Sequence, residues 1–344
     1  MYIRKKITPI RLILAIMAAG LFASCSTEID INSSNQDVPI VYCVLNSADS
    51  FQYVRIQKTY LVDQAALNTP PDQDSMLFQG EIVVTMERWS AGKVMETFRF
   101  APTNEIPKDS GFFPYQKNIL YKAKIKVVAN QTYRLYIYLG SKEKVLYAEA
   151  SSLGKLNVID PIQLQQRKIS LYDGNNYTCR WDPVQNAGVY QVALRLKYKE
   201  TIGNSTRIKY LDWPQPFASP GSDVDYLSMD VSGARFMHIL QDNLKAGEGI
   251  VREVIGVDFQ IVSGSLEMKY YIESTSPSAG ALMEKPVYGN INNGIGLFCT
   301  VARINVNDLL LSSVTIDSMA YGQFTRNLGF LDHTLDRDST NNFK

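Results

Sequence analysis

The chain has 344 residues, of which 45% are hydrophobic and 20% charged, a composition that fits a folded globular chain of about two domains. Its 35 basic and 34 acidic side chains leave a formal charge of +1, so there is no electrostatic reason to expect nucleic acid as a partner. The 20 Tyr and 14 Phe, against 2 His, point to half-buried strands.

The chain opens on Arg4, Lys5 and Lys6. Residues 12–22 are then apolar or small and uncharged, too short a run for a helical membrane span, which needs roughly 20 residues. This reads as a signal peptide over residues 1–24. Arg4, Lys5, Lys6 and Arg11 are its charged residues, so removing it takes the formal charge from +1 to −3. The run ends Leu21-Phe22-Ala23-Ser24-Cys25, which resembles a lipobox, with Phe22 where Leu is usual. The resemblance implies cleavage before Cys25 and attachment of palmitate and other acyl chains to that residue. A plain secretory signal with an incidental Cys25 is the alternative. Acyl chains contribute about 0.8 kcal/mol per buried CH₂, and stable anchoring takes more than one chain, which a triacylated cysteine supplies. In such lipoproteins an Asp after the cysteine retains the protein in the inner membrane. Ser26 therefore points to the outer membrane, and Glu28 and Asp30 resemble an acidic surface-export tag, which puts the cell surface ahead of the periplasmic face. Residues 25–37 read as a polar, lipidated tether.

Strand signals begin in an N-terminal β-sandwich domain at 38–153. Residues 40–45 are an apolar run, and 53–60 alternate between apolar and polar. Residues 82–87 and 94–100 form a hairpin around a turn at 90–93. Strands follow at 121–128, 133–139 and 145–150, and loops at 68–75 and 102–114. A second domain covers 154–330. Its strands fall at 177–183, 190–194, 207–213, 224–229, 254–262, 268–272 and 296–304. Phe236, Ile239, Leu240 and Leu244 recur at helical spacing, so one short helix is expected over 234–244. Residues 276–293 are an irregular loop, and 331–344 a disordered tail. The expected fold class is all-β, with two β-sandwich domains and one helical insertion.

In the second domain, Tyr177-Thr178-Cys179-Arg180-Trp181-Asp182-Pro183 followed by Tyr190-Gln191-Val192-Ala193-Leu194 resembles the second and third strands of a fibronectin type III module. The resemblance implies that Trp181 and Tyr190 pack across an immunoglobulin-like sandwich. Other features are the lipobox with Glu28-Ile29-Asp30, and the strands Val41-Tyr42-Cys43-Val44-Leu45 and Tyr53-Val54-Arg55-Ile56-Gln57-Lys58-Thr59-Tyr60. With the late Asn293-Gly294-Ile295-Gly296-Leu297-Phe298, they make the whole chain resemble a large, mostly uncharacterised family of Bacteroidota outer-membrane lipoproteins. Members commonly accompany TonB-dependent transporters or other envelope assemblies. The resemblance implies such a partner and no catalytic residues.

Candidate chemistry is sparse. His238 and His333 are the two histidines, and no Gly-x-Ser-x-Gly elbow occurs. Cys43, Cys179 and Cys299 allow at most one disulfide. A Cys179–Cys299 pair stays open beside buried free thiols, and their spacing matches no zinc motif. Gly294-Ile295-Gly296 lacks the third glycine and the lysine of a phosphate loop and reads as a turn. Asp72 with Asp74, and Asp336 with Asp338, lack the calcium-loop pattern. Ser75 and Ser318, each in Asp-Ser-Met, resemble O-glycosylation acceptors of Bacteroidota envelope proteins. No metal or cofactor is expected. The chain reads as a non-enzymatic envelope lipoprotein that binds another protein or a surface polymer through loops at the sandwich ends. The alternative is a structural or adhesive surface component. A hydrolase is disfavoured by the missing nucleophile–base pairing.

Overall fold

The structure, a computed structural model, describes residues 37–59, 77–107, 118–162, 168–220, 224–276 and 287–335. The signal peptide, nearly all of the tether, the 68–75 loop, Cys25 and Ser75 lie outside these residues. The protein is all-β and sandwich-type, with three short α-helices among the described residues.

The first strands are β1 (Pro39–Asn46), β2 (Phe51–Lys58), β3 (Ile82–Ser90), β4 (Lys93–Thr103), β5 (Leu120–Lys124), β6 (Thr132–Leu139) and β7 (Lys144–Ser151). Their period-two patterning turns alternate side chains inward. Val41, Cys43 and Leu45 of β1 meet Val54 and Ile56 of β2 and Leu135 and Ile137 of β6 in one buried cluster. A buried amide closes the first hairpin. Gln52 donates to the carbonyls of Asn46 and Asp49, both at 3.0 Å, and accepts from the Asn46 N–H at 2.9 Å. Ala91 and Gly92, with φ of 47° and 75°, supply the two left-handed residues that a tight β3–β4 turn requires.

The second group is β8 (Val158–Asp160), β9 (Asn176–Trp181), β10 (Ala187–Ile202), β11 (Ser205–Pro214), β12 (Leu227–Ser232), β13 (Ile250–Ser265) and β14 (Ile295–Leu309). Three strands form a sheet in the order β12-β9-β8, and the others continue the large sheet as β11-β10-β13-β14-β1-β2-β5-β4-β3-β6-β7. A second buried cluster joins Trp181 and Tyr177 of β9 to Tyr190, Val192 and Phe259 of the large sheet. The Trp181 and Tyr190 rings lie 5.6 Å apart.

β14 belongs to both clusters. It pairs in parallel with β1 from Ile40–Ile295 to Asn46–Val301, and antiparallel with β13 further along. Phe298 enters the first cluster, and Ala302 and Leu309 the second. Gly296 makes the β1 contact possible. Its φ is +120°, and a Cβ there would stand 1.9 Å from the Val41 carbonyl oxygen. The stretch expected as a turn does close one at Gly294, whose N–H bonds the Ile291 carbonyl at 3.3 Å, and from Ile295 it becomes a close strand approach.

Helix α1 (Gly233–Asn243) falls where one helix was expected, capped by the Ser232 hydroxyl. Two more helices were not anticipated. Residues 268–272, expected as a strand, lie in α2 (Leu266–Thr275). Five residues, with Lys269 among Met268, Tyr270, Tyr271 and Ile272, are too few to distinguish the two states by period. Packing does: Gly188 and Gly264 leave room for a helix, since a Cβ at Gly188 would lie 2.8 Å from Leu266 Cα, and one at Gly264 3.0 Å from Met268 Cγ. Helix α3 (Ser313–Tyr321) is capped by the Ser312 hydroxyl and buries Ile316 and Met319.

The chain beyond Leu331, expected to be disordered, keeps hydrogen-bonded order through Leu335 because a buried ion pair holds the segment before it. Arg252 is 2% exposed and bonds one Glu200 oxygen through Nε at 2.9 Å and Nη2 at 2.7 Å. It also donates to the Leu328 carbonyl and, at 3.0 Å, to that of Lys245. The Arg252 backbone bonds Gly329 and Leu331, adding a strap of chain to the edge of β13.

Removing one partner of a buried pair typically costs about 3–5 kcal/mol, because the other charge is left stranded. Here Lys209 stays on the second Glu200 oxygen, so Arg252→Met should lower stability by less, about 1–3 kcal/mol in a denaturant melt, and expose residues near 328 to proteolysis. Burial alone would raise the Glu200 carboxyl, but bonds from Lys209 and Arg252 hold it below its ordinary 4.5. Its folded value is the lower one, so its stabilising contribution is present above about pH 4.5 and is lost as pH falls through the folded value. Glu200→Gln should flatten that acid limb in melts followed against pH. An unchanged limb would show that Glu200 does not set it.

Candidate functional site

The outer face of β11, β10, β13 and β14 carries a hollow of about 310 Å³. Ladder register dictates its floor and walls. One row across the strands runs Pro214, Ala193, Gln260, Asn305, and the next Asp212, Arg195, Asp258. Along β10 the outward residues are Gln191, Ala193 and Arg195, so a methyl group sits between two long polar side chains. That step in size makes the concavity.

The charged groups around it are tied to one another, two cations among three carboxylates. Arg195 forks onto Asp212 through Nε at 2.6 Å and Nη2 at 2.8 Å. This pair holds the Asp212 carboxyl below its ordinary 3.8 and raises the guanidinium. The Arg195 guanidinium also lies 5.6 Å from the ring centre of Tyr210, which is exposed. Lys197 reaches Asp258 at 2.9 Å and Asp308 at 2.7 Å. Burial works against its charge, but those bonds prevail and raise it. Asp258 further accepts from the Asp308 backbone N–H at 2.8 Å.

The amides keep capacity in reserve. Gln260 donates to the Asn305 carbonyl oxygen at 3.1 Å, leaving the Gln260 oxygen and the Asn305 amide nitrogen for another group. Gln191 donates to the Gln215 carbonyl at 3.1 Å and keeps its own oxygen. Asn307 lines the same hollow. None of these residues stood out in the sequence. Each is an ordinary strand polar residue until the register of four strands puts them side by side.

The residues singled out from sequence fall elsewhere. Cys43, Cys179 and Cys299 are buried free thiols. Burial raises all three, Cys299 to about 12, so they stay protonated and weakly nucleophilic. The open Cys179–Cys299 pairing is thereby resolved as two free thiols. His238 is exposed on α1, its ring 4.1 Å from that of Phe324. His333 places Nδ1 2.7 Å from Asp317 Oδ1. Ser318 follows Asp317 in α3, but its hydroxyl donates to the Val314 carbonyl at 2.7 Å, and its neighbour Met319 is fully buried. Ser75, Asp72, Asp74, Asp336 and Asp338 lie outside the described residues, as does most of the 102–114 and 276–293 loops. Residues 290–293 are described, and they form an edge cover. Asn290, Asn292 and Asn293 send side-chain amides to backbone carbonyls of β7.

Among the described residues no group of three or more His, Cys, Asp or Glu could hold a metal ion, and no helix is long and apolar enough to cross a membrane. Fold and surface together define an all-β, sandwich-type protein with a polar hollow on an open sheet face. No family model and no curated protein matches the chain.

The Arg195–Asp212 fork should hold its charge from neutral pH to below 3.8. A carbon-detected NMR titration should find the Asp212 carboxyl below that value, and Arg195→Leu should return it towards 3.8. A titration already at 3.8 in the unaltered protein would mean the fork does not persist in solution.

Proposed function

We propose that this chain is a non-catalytic, lipid-anchored binding protein of the bacterial outer membrane, an accessory of an envelope assembly or transport system. The observation that carries the binding half is the hollow between Gln191, Arg195, Gln260 and Asn305. Its charged side chains are tied to one another, and its amides face outwards with free donors and acceptors. Such a surface recognises rather than reacts, because a general base or nucleophile must have a partner poised to move a proton.

The anchoring half rests on Leu21-Phe22-Ala23-Ser24-Cys25 and the polar chain after it. A fibronectin III-like reading of the second group of strands is supported by the order β8-β9-β12 in one sheet and β11-β10-β13-β14 in the other. Trp181 closing β9 and Tyr190 near the start of β10 add to it.

Cells producing Cys25→Ala should make a folded protein that takes up no labelled palmitate and no longer sediments with the outer membrane. Labelling that survives the substitution would end the lipoprotein reading. A mild-detergent pull-down of the unaltered protein from native membranes tests the binding half, and its expected result is a reproducible envelope component lost when Ala193 is replaced by Trp.

A further inference from the structure

We propose that the hollow on the outer face of β10, β11, β13 and β14 is a binding site for a neutral saccharide, the sugar seated over Ala193 and Pro214 and held by the amides of Gln191, Gln260, Asn305 and Asn307. The inference rests on the reading of this face as a binding site and names the ligand class.

Three features select that class. The first is charge. Arg195 and Lys197 face Asp212, Asp258 and Asp308 at 2.6–2.9 Å. An anionic ligand would meet these carboxylates, and a cationic one would meet ammonium and guanidinium groups already committed to partners. A neutral ligand incurs neither conflict. The second is hydrogen-bond type. A sugar hydroxyl both donates and accepts, and so does a side-chain amide. The Gln260–Asn305 bond leaves one acceptor oxygen and one donor nitrogen on adjacent strands, which matches the demand of neighbouring hydroxyls. A protein partner is less well suited, since interface centres are built on buried aromatic and aliphatic anchors, and here polar and apolar surface alternate in about equal parts with no exposed aromatic ring among the lining residues.

The third is shape and rigidity. The volume of about 310 Å³ lies at the small end of ligand pockets, roughly 300–1,000 Å³. It suits a ring-sized group on an open face, where the rest of a chain can run on across the sheet. The Ala193 methyl and the Pro214 ring offer apolar contact to the C–H face of such a ring. Arg195 is held by its fork and by Tyr210, so little side-chain freedom is lost when a ligand settles against it.

The test uses the full lipidated protein in a detergent without a sugar headgroup. Affinity electrophoresis through gels containing dextran, mannan or galactan supplies neutral probes, and alginate a polyanionic one. Retardation by at least one neutral polymer is expected, with no preference for alginate. The Gln260→Ala, Asn305→Ala double variant should weaken that binding about tenfold or more, as the loss of two amide contacts implies. Ala193→Trp should fill the floor and abolish it. Thermal melts establish folding, and Asn305→Ala alone, at an exposed position, serves if Ala193→Trp fails to fold. No retardation by any neutral polymer, retardation indifferent to the variants, or preference for alginate each overturns the inference. If a protein partner instead copurifies and is lost with Ala193→Trp, the saccharide assignment falls while the binding reading stands. If the variants change neither polymer nor protein capture, both fall.

Discussion

β1 and β14 lie far apart in the chain and pair in parallel, with Gly296 pressed against the Val41 carbonyl. Parallel pairing of strands so distant in sequence has a high entropic cost of closure, and nothing local favours it. Burial on both sides offsets that cost. β1 turns Val41, Cys43 and Leu45 into the first cluster, and β14 contributes Phe298 beside them before running on into the second with Ala302 and Leu309. One strand therefore serves two cores. The two halves of the fold are not beads on a linker, because the sheet passes from one to the other without a break. A side chain at 296 would push β14 off β1 and separate both clusters from their common strand.

A sheet this long must end somewhere, and its two edges are handled differently. At β7 the chain just before β14 doubles back. Tyr147 pairs with Asn292, and the amides of Asn290, Asn292 and Asn293 bond the carbonyls of Glu149, Tyr147 and Val145. The segment that leads into the β1 contact thus also covers the edge of the first group of strands. At β11 the edge carries Arg207 and Lys209, and charge discourages strand addition there. The buried Arg252–Glu200 pair belongs to the same economy of edges, since it pins a strap of chain beside β13 where Leu331 and Gly329 bond the Arg252 backbone.

Local pattern made much of this legible. The alternation in 53–58 and 133–139 and the turn at Ala91-Gly92 follow from side-chain period and positive-φ chemistry, while the Trp181–Tyr190 contact was implied by the resemblance to a fibronectin type III module. What escaped was non-local. The run 266–275 becomes a helix because Gly188 and Gly264, on two other strands, make a seat for it. The α3 helix is the exception, since its Ser312 cap and spaced Ile316 and Met319 are a local helix signal. β10 and β13 each run 16 residues, well beyond the apolar stretches that announced them, because Arg195, Lys197 and Lys199 on their outer face pair with acids across the strands. The hollow was illegible for the same reason. Ala193 means nothing until Gln260 and Pro214 are known to be its neighbours.

That origin bears on how such a surface can act. Loops, where reach and variability are greatest, are where binding residues are expected, and most of those loops lie outside the described residues. The hollow lies in the middle of a four-stranded face, and each of its side chains is set by a ladder position rather than by a flexible connection. Position on regular strands gives precision, and cross-strand pairing gives stiffness. The charges supply that stiffness by satisfying one another, so on the proposed reading recognition falls to the amides. A site of this construction cannot tune its field, because moving one charge unpairs another. On the proposed reading its selectivity comes from the spacing of neutral donors and acceptors and from the depth that Ala193 leaves between Gln191 and Arg195. A longer residue at 193 would keep every ion pair on this face and still erase the hollow.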